Sequence, residues 1–135
     1  MAYAIDEIEG IGPTYAAKLK DAGITTTEQY LDKAKNPAGR KALASETGID
    51  SSRVLKWANM ADLMRIKGVG EEYSELLEAA GVDTVKELRT RNAANLTTKM
   101  AEVNGTKKLV RSVPGEKSVT DWVAQAKELS PIMSY

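Results

Sequence analysis

The sequence predicts an all-α protein made of two pseudo-repeated helical units that pack into one compact helical body. Apolar residues recur at the i, i+3, i+4, i+7 spacing of helices that bury one face. No segment alternates apolar and polar residues in the manner of a half-buried strand, and β-branched residues do not cluster. A stretch near the N-terminus also recurs in the middle of the chain. These observations together favour a tandem repeat of short helices.

The repeat is clearest at two Gly-apolar-Gly sequences. IEGIGPTYAAKL begins at Ile8 and IKGVGEEYSELL begins at Ile66, an offset of 58 positions. Further along the chain, Trp57 and Trp122 align at an offset of 65, each within the apolar stripe of a helix. The second unit therefore has seven additional residues, which we expect in a loop or a lengthened helix.

This repeat predicts two domains, residues 1–62 and residues 63–135, each with four to five short helices. In the first domain Pro13 suits a first helical turn, and Gly23 suits a helix end. Its predicted helices read IDEIEG, PTYAAKLKDAG, TTTEQYLDKA and DSSRVLKWANMADLMRI, the last two with Thr, Asp or Ser as N-caps. Those of the second domain read EEYSELLEAAG, DTVKELRTRN, ANLTTKMAEVNG and SVTDWVAQAKEL, the last behind a Ser cap.

The composition excludes several classes of function. Nineteen basic and nineteen acidic residues cancel, so no overall positive field attracts nucleic acid or anionic membrane, and any such binding must be local. The absence of Cys and His excludes disulfides, Cys/His zinc sites and catalysis by a thiolate or an imidazole. The N-terminal sequence lacks a basic segment followed by an apolar run, and we expect a cytoplasmic protein that does not contact membranes.

Both glycine sequences match a longer pattern that resembles the helix-hairpin-helix motif. The pattern consists of spaced apolar residues, the two glycines and a small residue in the second helix. The glycines permit a tight link between antiparallel helices, and the central Ile or Val packs inside it. The first copy of the pattern consists of Ile5, Ile8, Gly10, Ile11, Gly12, Ala16 and Leu19, and the second copy consists of Leu63, Ile66, Gly68, Val69, Gly70, Ser74 and Leu77.

Such a hairpin offers a site for a phosphate, because the second helix presents unpaired N–H groups and the positive end of its dipole. The first turn suits this use better, with Thr14, Lys18 and Lys20 nearby, although Asp6, Glu7 and Glu9 precede it. In the second turn, Lys67 and Arg65 are basic, but Glu71 and Glu72 occupy the helix start. The predicted nucleic-acid-binding residues are Gly10, Ile11, Gly12, Thr14, Lys18, Lys67, Gly68, Val69, Gly70, Lys107, Lys108 and Arg111.

The leading hypothesis is a non-enzymatic module that binds a DNA backbone without sequence preference and needs no cofactor. A structural or protein-interaction module built on the same hairpins is the first alternative. A metal-dependent nuclease using Glu71, Glu75 and Glu78 is the second, although an exposed helix face explains these residues more simply. We predict no catalytic residue and no metal site. Trp57 and Trp122 should pack in the core.

Over nearly its whole length the chain resembles an uncharacterised bacterial family of paired helix-hairpin-helix domains, known as a domain of unknown function. Residues 47–92 and 119–135 carry the resemblance most clearly. The resemblance implies DNA binding through the hairpins. Some relatives carry names borrowed from flap-type nucleases, but this sequence shows no assembled carboxylate centre.

Overall fold

Eight α-helices and one short 3₁₀ helix occur in residues 3–135, the part of the chain that this computed structural model describes. These residues contain no strand, only an isolated bridge between Ala4 and Thr26, so the predicted all-α class is confirmed. The 3₁₀ helix is Ile5–Glu7, and the α-helices are α1 Pro13–Asp21, α2 Thr27–Ala34, α3 Pro37–Thr47, α4 Ser51–Leu63, α5 Glu71–Ala79, α6 Val85–Leu88, α7 Ala93–Lys107 and α8 Glu116–Glu128.

The chain divides into two compact units. Unit 1 comprises Met1–Asp62 together with Ile132–Tyr135, and unit 2 comprises Leu63–Pro131. The division falls after Asp62, where the sequence places the boundary, but the last four residues belong to unit 1. Whether the predicted domains fold as such stays a prediction, and the first two residues of the first domain lie outside the described residues.

The core of unit 1 is aliphatic around two buried aromatic side chains. Trp57 is 2% exposed and Tyr30 is fully buried, with Leu19, Leu43 and Val54 among the other buried residues. The Tyr30 hydroxyl donates a 2.7 Å hydrogen bond to the Val54 carbonyl, which joins α2 to α4. Burial raises the pKa of the Tyr30 phenol well above its usual range, because the phenolate would lose its hydration.

The C-terminal residues of unit 1 are held by both backbone and side-chain hydrogen bonds. The Ser134 N–H donates to the Lys35 carbonyl at 2.8 Å, and the Arg40 guanidinium donates to the Ser134 carbonyl at 2.8 Å. The Tyr135 hydroxyl donates to the Asn59 side chain at 2.6 Å. These bonds explain why the chain end is assigned to unit 1.

Unit 2 has a core of the same kind, built from α5 to α8 and the preceding turn. Trp122 is its largest buried side chain and is 4% exposed, so the prediction that both tryptophans pack in the core is confirmed. Around it lie aliphatic residues including Leu76, Leu77, Leu88 and Met100.

Two helix predictions were wrong in detail, and one helix was not predicted. Helix α8 begins at Glu116 with Gly115 as its N-cap, so Ser118 lies inside the helix and does not cap it. The segment predicted as DTVKELRTRN is helical only over Val85–Leu88, because the chain turns after Arg89. Helix α3 was not predicted, although Asn36 caps it through a bond from the Gly39 N–H and Pro37 occupies its first position.

Candidate functional site

The two Gly-apolar-Gly sequences form turns with nearly the same backbone. We call residues 8–12 the first turn and residues 66–70 the second turn. Gly10 has φ +95° and Gly68 has φ +99°, values that L side chains rarely adopt. The central apolar residue of each turn is buried, Ile11 at 5% exposure and Val69 at 0%, as predicted. Its N–H donates to the carbonyl three residues earlier, at 3.1 Å in the first turn and 3.0 Å in the second.

A buried tryptophan supports each turn. A Cβ atom placed on Gly10 would lie 3.4 Å from Nε1 of Trp57, and one on Gly68 would lie 3.1 Å from Nε1 of Trp122. Each tryptophan also contacts the tyrosine at the start of the following helix. The ring centroids of Tyr15 and Trp57 are 5.2 Å apart, as are those of Tyr73 and Trp122. Both positions therefore favour glycine for its φ, and at Gly68 a Cβ would also press on the indole of Trp122.

The second glycine of each turn is the N-cap of a helix. Gly12 precedes α1 and Gly70 precedes α5, and a glycine has no side chain that could accept hydrogen bonds from the first N–H groups. By contrast, α2, α3, α6 and α7 are capped by the side chains of Thr26, Asn36, Thr84 and Asn92. Nothing lies within 4 Å of a Cβ built on Gly12 or Gly70. Both helix starts therefore have open space at the cap position.

Next to the first turn, two cationic side chains lie against the ring of Tyr15. Thr14, Lys18 and Lys20 are exposed on α1. The Lys18 ammonium lies 5.9 Å from the centroid of the Tyr15 ring, and the Arg53 guanidinium lies 5.6 Å from the same centroid. Arg53 was not among the predicted site residues. It lies four positions before Trp57, on the same face of α4, and that spacing is the signal that could have revealed it.

Arg53 also belongs to the capping structure of α4. Its N–H donates to Oδ2 of Asp50 at 3.2 Å, and its guanidinium forms an ion pair with the same carboxylate. The Ser52 hydroxyl donates to Asp50 as well. The hydrogen bonds from Ser52 and from Arg53 lower the pKa of Asp50 to about 2. Asp50 is therefore ionised at neutral pH and forms an ion pair with the Arg53 guanidinium.

The second turn carries different surroundings. Lys67 is exposed, and its backbone is held by Gln125 of α8: the Lys67 N–H donates to Oε1 at 2.9 Å, and Nε2 donates to the Lys67 carbonyl at 3.0 Å. Glu71 and Glu72 are exposed at the first two positions of α5. The Arg65 guanidinium donates to the Ser130 carbonyl at 2.8 Å. The two turns thus have nearly the same backbone conformation but differ in the charged side chains around them.

The basic stretch predicted as an additional contact forms the end of α7 and the loop after it. Lys107, Lys108 and Arg111 are all exposed, and Lys108 adopts a left-handed conformation with φ +52°. This loop, residues 108–115, links α7 to α8, whereas residues 48–50 suffice to link α3 to α4. It accounts for five of the seven additional residues of unit 2, because 108–115 is eight residues and 48–50 is three. The rest extend the C-terminal end of α7.

The loop lies against the second turn. The Asn104 side chain donates to the Val110 carbonyl at 3.1 Å and accepts from its N–H at 2.9 Å, and the Tyr73 hydroxyl donates to the Ser112 carbonyl at 3.1 Å. Tyr73 follows the second turn by only three residues. The loop is therefore fixed beside that turn by its backbone.

The predicted residues thus form two groups, one in each unit. Gly10, Ile11, Gly12, Thr14 and Lys18 lie together at the first turn of unit 1. In unit 2, Lys67, Gly68, Val69 and Gly70 form the second turn, and Lys107, Lys108 and Arg111 lie on the neighbouring α7 end and loop. Glu71, Glu75 and Glu78 do not assemble into a metal site: within residues 3–135, no three Asp or Glu side chains converge as metal ligands.

These features define a class: an all-helical protein in which two tightly bent glycine turns each open a helix above a buried tryptophan. The chain belongs to the family described as Domain of unknown function (DUF4332), whose profile matches residues 9–129. No curated protein and no solved structure gave a significant match. In the part of the chain described here, no helix has the length and apolarity needed to cross a membrane.

Proposed function

We propose that this chain is a non-enzymatic module that binds the phosphate backbone of nucleic acid, most simply DNA, without sequence preference. In this proposal the two units are repeated helix-hairpin-helix domains, residues 1–62 and 63–135, of a cytoplasmic protein. The glycine turns hold a phosphate oxygen with the N–H groups of the following helix.

The open helix start at the first turn carries the proposal. Pro13 at the first position of α1 has no N–H, so the available donors are the N–H groups of Thr14 and Tyr15, and Gly12 leaves both without a capping side chain. The start of α1 carries no acidic residue. The dipole of the helix adds positive potential at the same place. A phosphate oxygen there would meet hydrogen-bond donors and no like charge from the helix start.

The cationic side chains near the first turn add attraction over a longer distance. Lys18 and Arg53 both lie within 6 Å of the Tyr15 ring, and Lys20 is exposed on the same helix. Contacts of this kind hold neighbouring phosphates without reading the bases. The exposed carboxylates of Asp6, Glu7 and Glu9 precede the turn and oppose this attraction, and Arg53 is already paired with Asp50.

The second turn contributes less in this proposal. Glu71 and Glu72 already neutralise the positive end of the α5 dipole, and a phosphate there would be repelled. Its contribution comes from Lys67 and from the exposed Lys107, Lys108 and Arg111.

The test uses Gly12→Asp, measured by titration of labelled single- and double-stranded DNA at several salt concentrations. Gly12 has φ −84° with open space around it, so Asp fits and caps α1 without destabilising the fold. Its carboxylate occupies the place of the phosphate, and we expect affinity to fall by about tenfold or more. In the wild type, affinity should fall steeply with salt, since bound phosphates release counterions.

Two variants serve as controls. Gly12→Asn fills the same space without charge and should lose less affinity than Gly12→Asp. Gly70→Asp places the same carboxylate at a helix start that is already acidic, and its effect should be smaller still. Equal DNA affinity for the wild type and Gly12→Asp, or wild-type binding that ignores salt, would refute the proposal.

A protein-interaction role is the second candidate, and one observation favours it. Glu71 and Glu72 make the start of α5 acidic and exposed, in a chain whose total charge is zero. Such a surface fits a basic protein partner better than a phosphate. The same titration separates the two, because a module of this second kind would bind neither form of DNA with a steep dependence on salt.

A further inference from the structure

Unit 2 contains a pocket at the second turn that the glycine motif by itself does not create. Its walls come from the turn, from the start of α5, from the loop before α8 and from α8 itself. The residues that line it include Lys67, Gly68, Tyr73, Lys117, Asp121 and Trp122. We call it the turn pocket.

The 108–115 loop supplies one wall of the turn pocket. Pro114 of this loop lines the pocket, and the Tyr73 hydroxyl fixes the loop at the Ser112 carbonyl with a 3.1 Å bond. The corresponding linker of unit 1 has only residues 48–50. The additional residues of unit 2 therefore form a wall on one side of the second turn.

The polar groups of the turn pocket suit an anion. Two exposed lysines line it: Lys67, which belongs to the second turn, and Lys117, which is the second residue of α8. Trp122 brings the indole Nε1 against Gly68, where a Cβ would approach it to 3.1 Å. An indole N–H is a donor only. Two lysines and the edge of an indole therefore line the same pocket.

Glu71 and Glu72, which repel a phosphate at the start of α5, are not among the residues that line the turn pocket. One carboxylate that does line it opposes the two lysines. Asp121 also lines the turn pocket, and its Oδ2 accepts a 2.9 Å hydrogen bond from Nε2 of Gln125. The same Gln125 amide holds the Lys67 backbone, so Asp121 is kept beside the turn. The formal charge of the three groups is +1, from two lysines and one aspartate. An anion with two charges gains more from the lysines than one with a single charge.

We propose that the turn pocket binds a phosphomonoester, namely the terminal phosphate of a nucleic-acid strand. This inference rests on the proposed function, and it adds a preference for strand ends. A terminal phosphate carries close to two negative charges at neutral pH, whereas each internal phosphodiester carries one. A pocket with a wall on one side also suits a group at the end of a chain. The half-buried ring of Tyr73 offers apolar surface to the terminal nucleotide.

The experiment compares labelled single-stranded oligonucleotides of one sequence that end in a 5′-phosphate, in a 3′-phosphate, or in hydroxyls only. We expect at least one phosphate-ended strand to bind roughly fivefold tighter than the hydroxyl-ended strand. Lys117→Gln should abolish this preference. Asp121→Asn should increase it, because Asn still accepts from Gln125 and the opposing charge is gone.

Lys127→Gln is the matched control, since Lys127 is an exposed lysine of the same helix that lies outside the turn pocket. It should leave the preference unchanged. A tenfold excess of inorganic phosphate over the oligonucleotide tests the source of the ligand, and the preference should survive it. If inorganic phosphate removes the preference, the pocket binds free phosphate and the strand-end proposal is wrong.

Equal affinity of all three strands for the wild-type protein would overturn the inference, as would a preference that both Lys117→Gln and Asp121→Asn leave intact. Failure of the proposed function would look different. In that case the hydroxyl-ended strand and duplex DNA would show no salt-dependent binding that Gly12→Asp weakens.

Discussion

The first and second turns have almost the same backbone conformation but differ in the charged side chains at the start of the helix that follows. In both, a glycine with φ near +97° lies against a buried tryptophan, and a second glycine caps the next helix. At the first turn, Lys18 and Arg53 gather on Tyr15. At the second, Glu71 and Glu72 begin the helix. The glycine motif therefore specifies a bend, while the residues around it decide what the bend can bind.

The aligned positions of the two units also differ in how firmly the turn is held. Gln125 binds both the N–H and the carbonyl of Lys67. At the offset of 65 positions its counterpart is Met60, a fully buried residue without a polar group that could bind a backbone. The second turn is therefore held by a polar side chain, and the aligned side chain of the first unit packs in the core.

The largest expected effect comes from giving each turn a Cβ atom. Gly68→Ala should lower the free energy of unfolding by about 2–4 kcal/mol, because φ +99° strains an L residue and the Cβ would lie 3.1 Å from Trp122. Gly10→Ala should cost less, since its Cβ would lie 3.4 Å from Trp57. Urea unfolding followed by tryptophan fluorescence measures both.

Gly70→Ala and Gly12→Ala are the matched controls for this pair. Both positions have negative φ and open space, but each is an N-cap, where Gly is preferred to Ala, so each variant should lose only about 1 kcal/mol. If Gly68→Ala is as stable as Gly70→Ala, the second turn does not depend on its positive φ or on the tryptophan beneath it.

A smaller effect is expected from Gln125→Met, which gives the second turn the residue that the first unit has. Two hydrogen bonds to the Lys67 backbone are lost, and the free energy of unfolding should fall by about 1–2 kcal/mol. Hydrogen exchange of the Lys67 amide should quicken at the same time. Gln125→Glu combined with Asp121→Asn is the control. The Glu keeps an acceptor for the Lys67 N–H, and the Asn removes the carboxylate that would repel it, so this amide should be better protected than with Met.

The smallest effect concerns acid. Asp50 caps α4 and has a pKa of about 2 against 3.8 for an ordinary Asp, whereas the aligned N-cap of α8 is Gly115. A lowered pKa stabilises the folded state above pH 3.8, and this contribution is lost as the pH falls towards 2. Amide exchange in the first turn of α4 should therefore quicken over that range, and exchange at the start of α8 should not.

Variants at the two caps test this difference directly. Asp50→Asn should remove the acid dependence at α4. Gly115→Asp should stabilise α8 by a few tenths of a kcal/mol and give it the same dependence, because φ −77° and open space accept the side chain. An acid response of α8 in the wild type would contradict the assignment.

Several elements of the structure could be predicted from local sequence. The glycine pattern predicted both turns and the burial of Ile11 and Val69, because positive φ and apolar burial are properties of single positions. Helical periodicity placed both tryptophans in the core. Thr26 was predicted among the threonine caps of α2, since a cap contacts residues only three positions away.

Other elements depend on contacts that sequence spacing does not show. Arg53 reaches Tyr15 across 38 positions of the chain, as the difference between 53 and 15, and Gln125 reaches Lys67 across 58. The position of the 108–115 loop depends on Tyr73, which lies on another helix. Helix α3, by contrast, has local signals of its own, namely Asn36 as N-cap and Pro37 at its first position.

The helical class, the two bends and the apolar stripes follow from local sequence, because they depend on backbone preferences and on the periodic burial of side chains over a few neighbouring residues. The charges around each bend, the side chain that holds the second bend, and the pocket wall formed there by the additional residues of unit 2 follow from the folded structure alone. Those outcomes depend on packing between helices that are distant in the chain, and side-chain reach across such packing is set by three-dimensional distance.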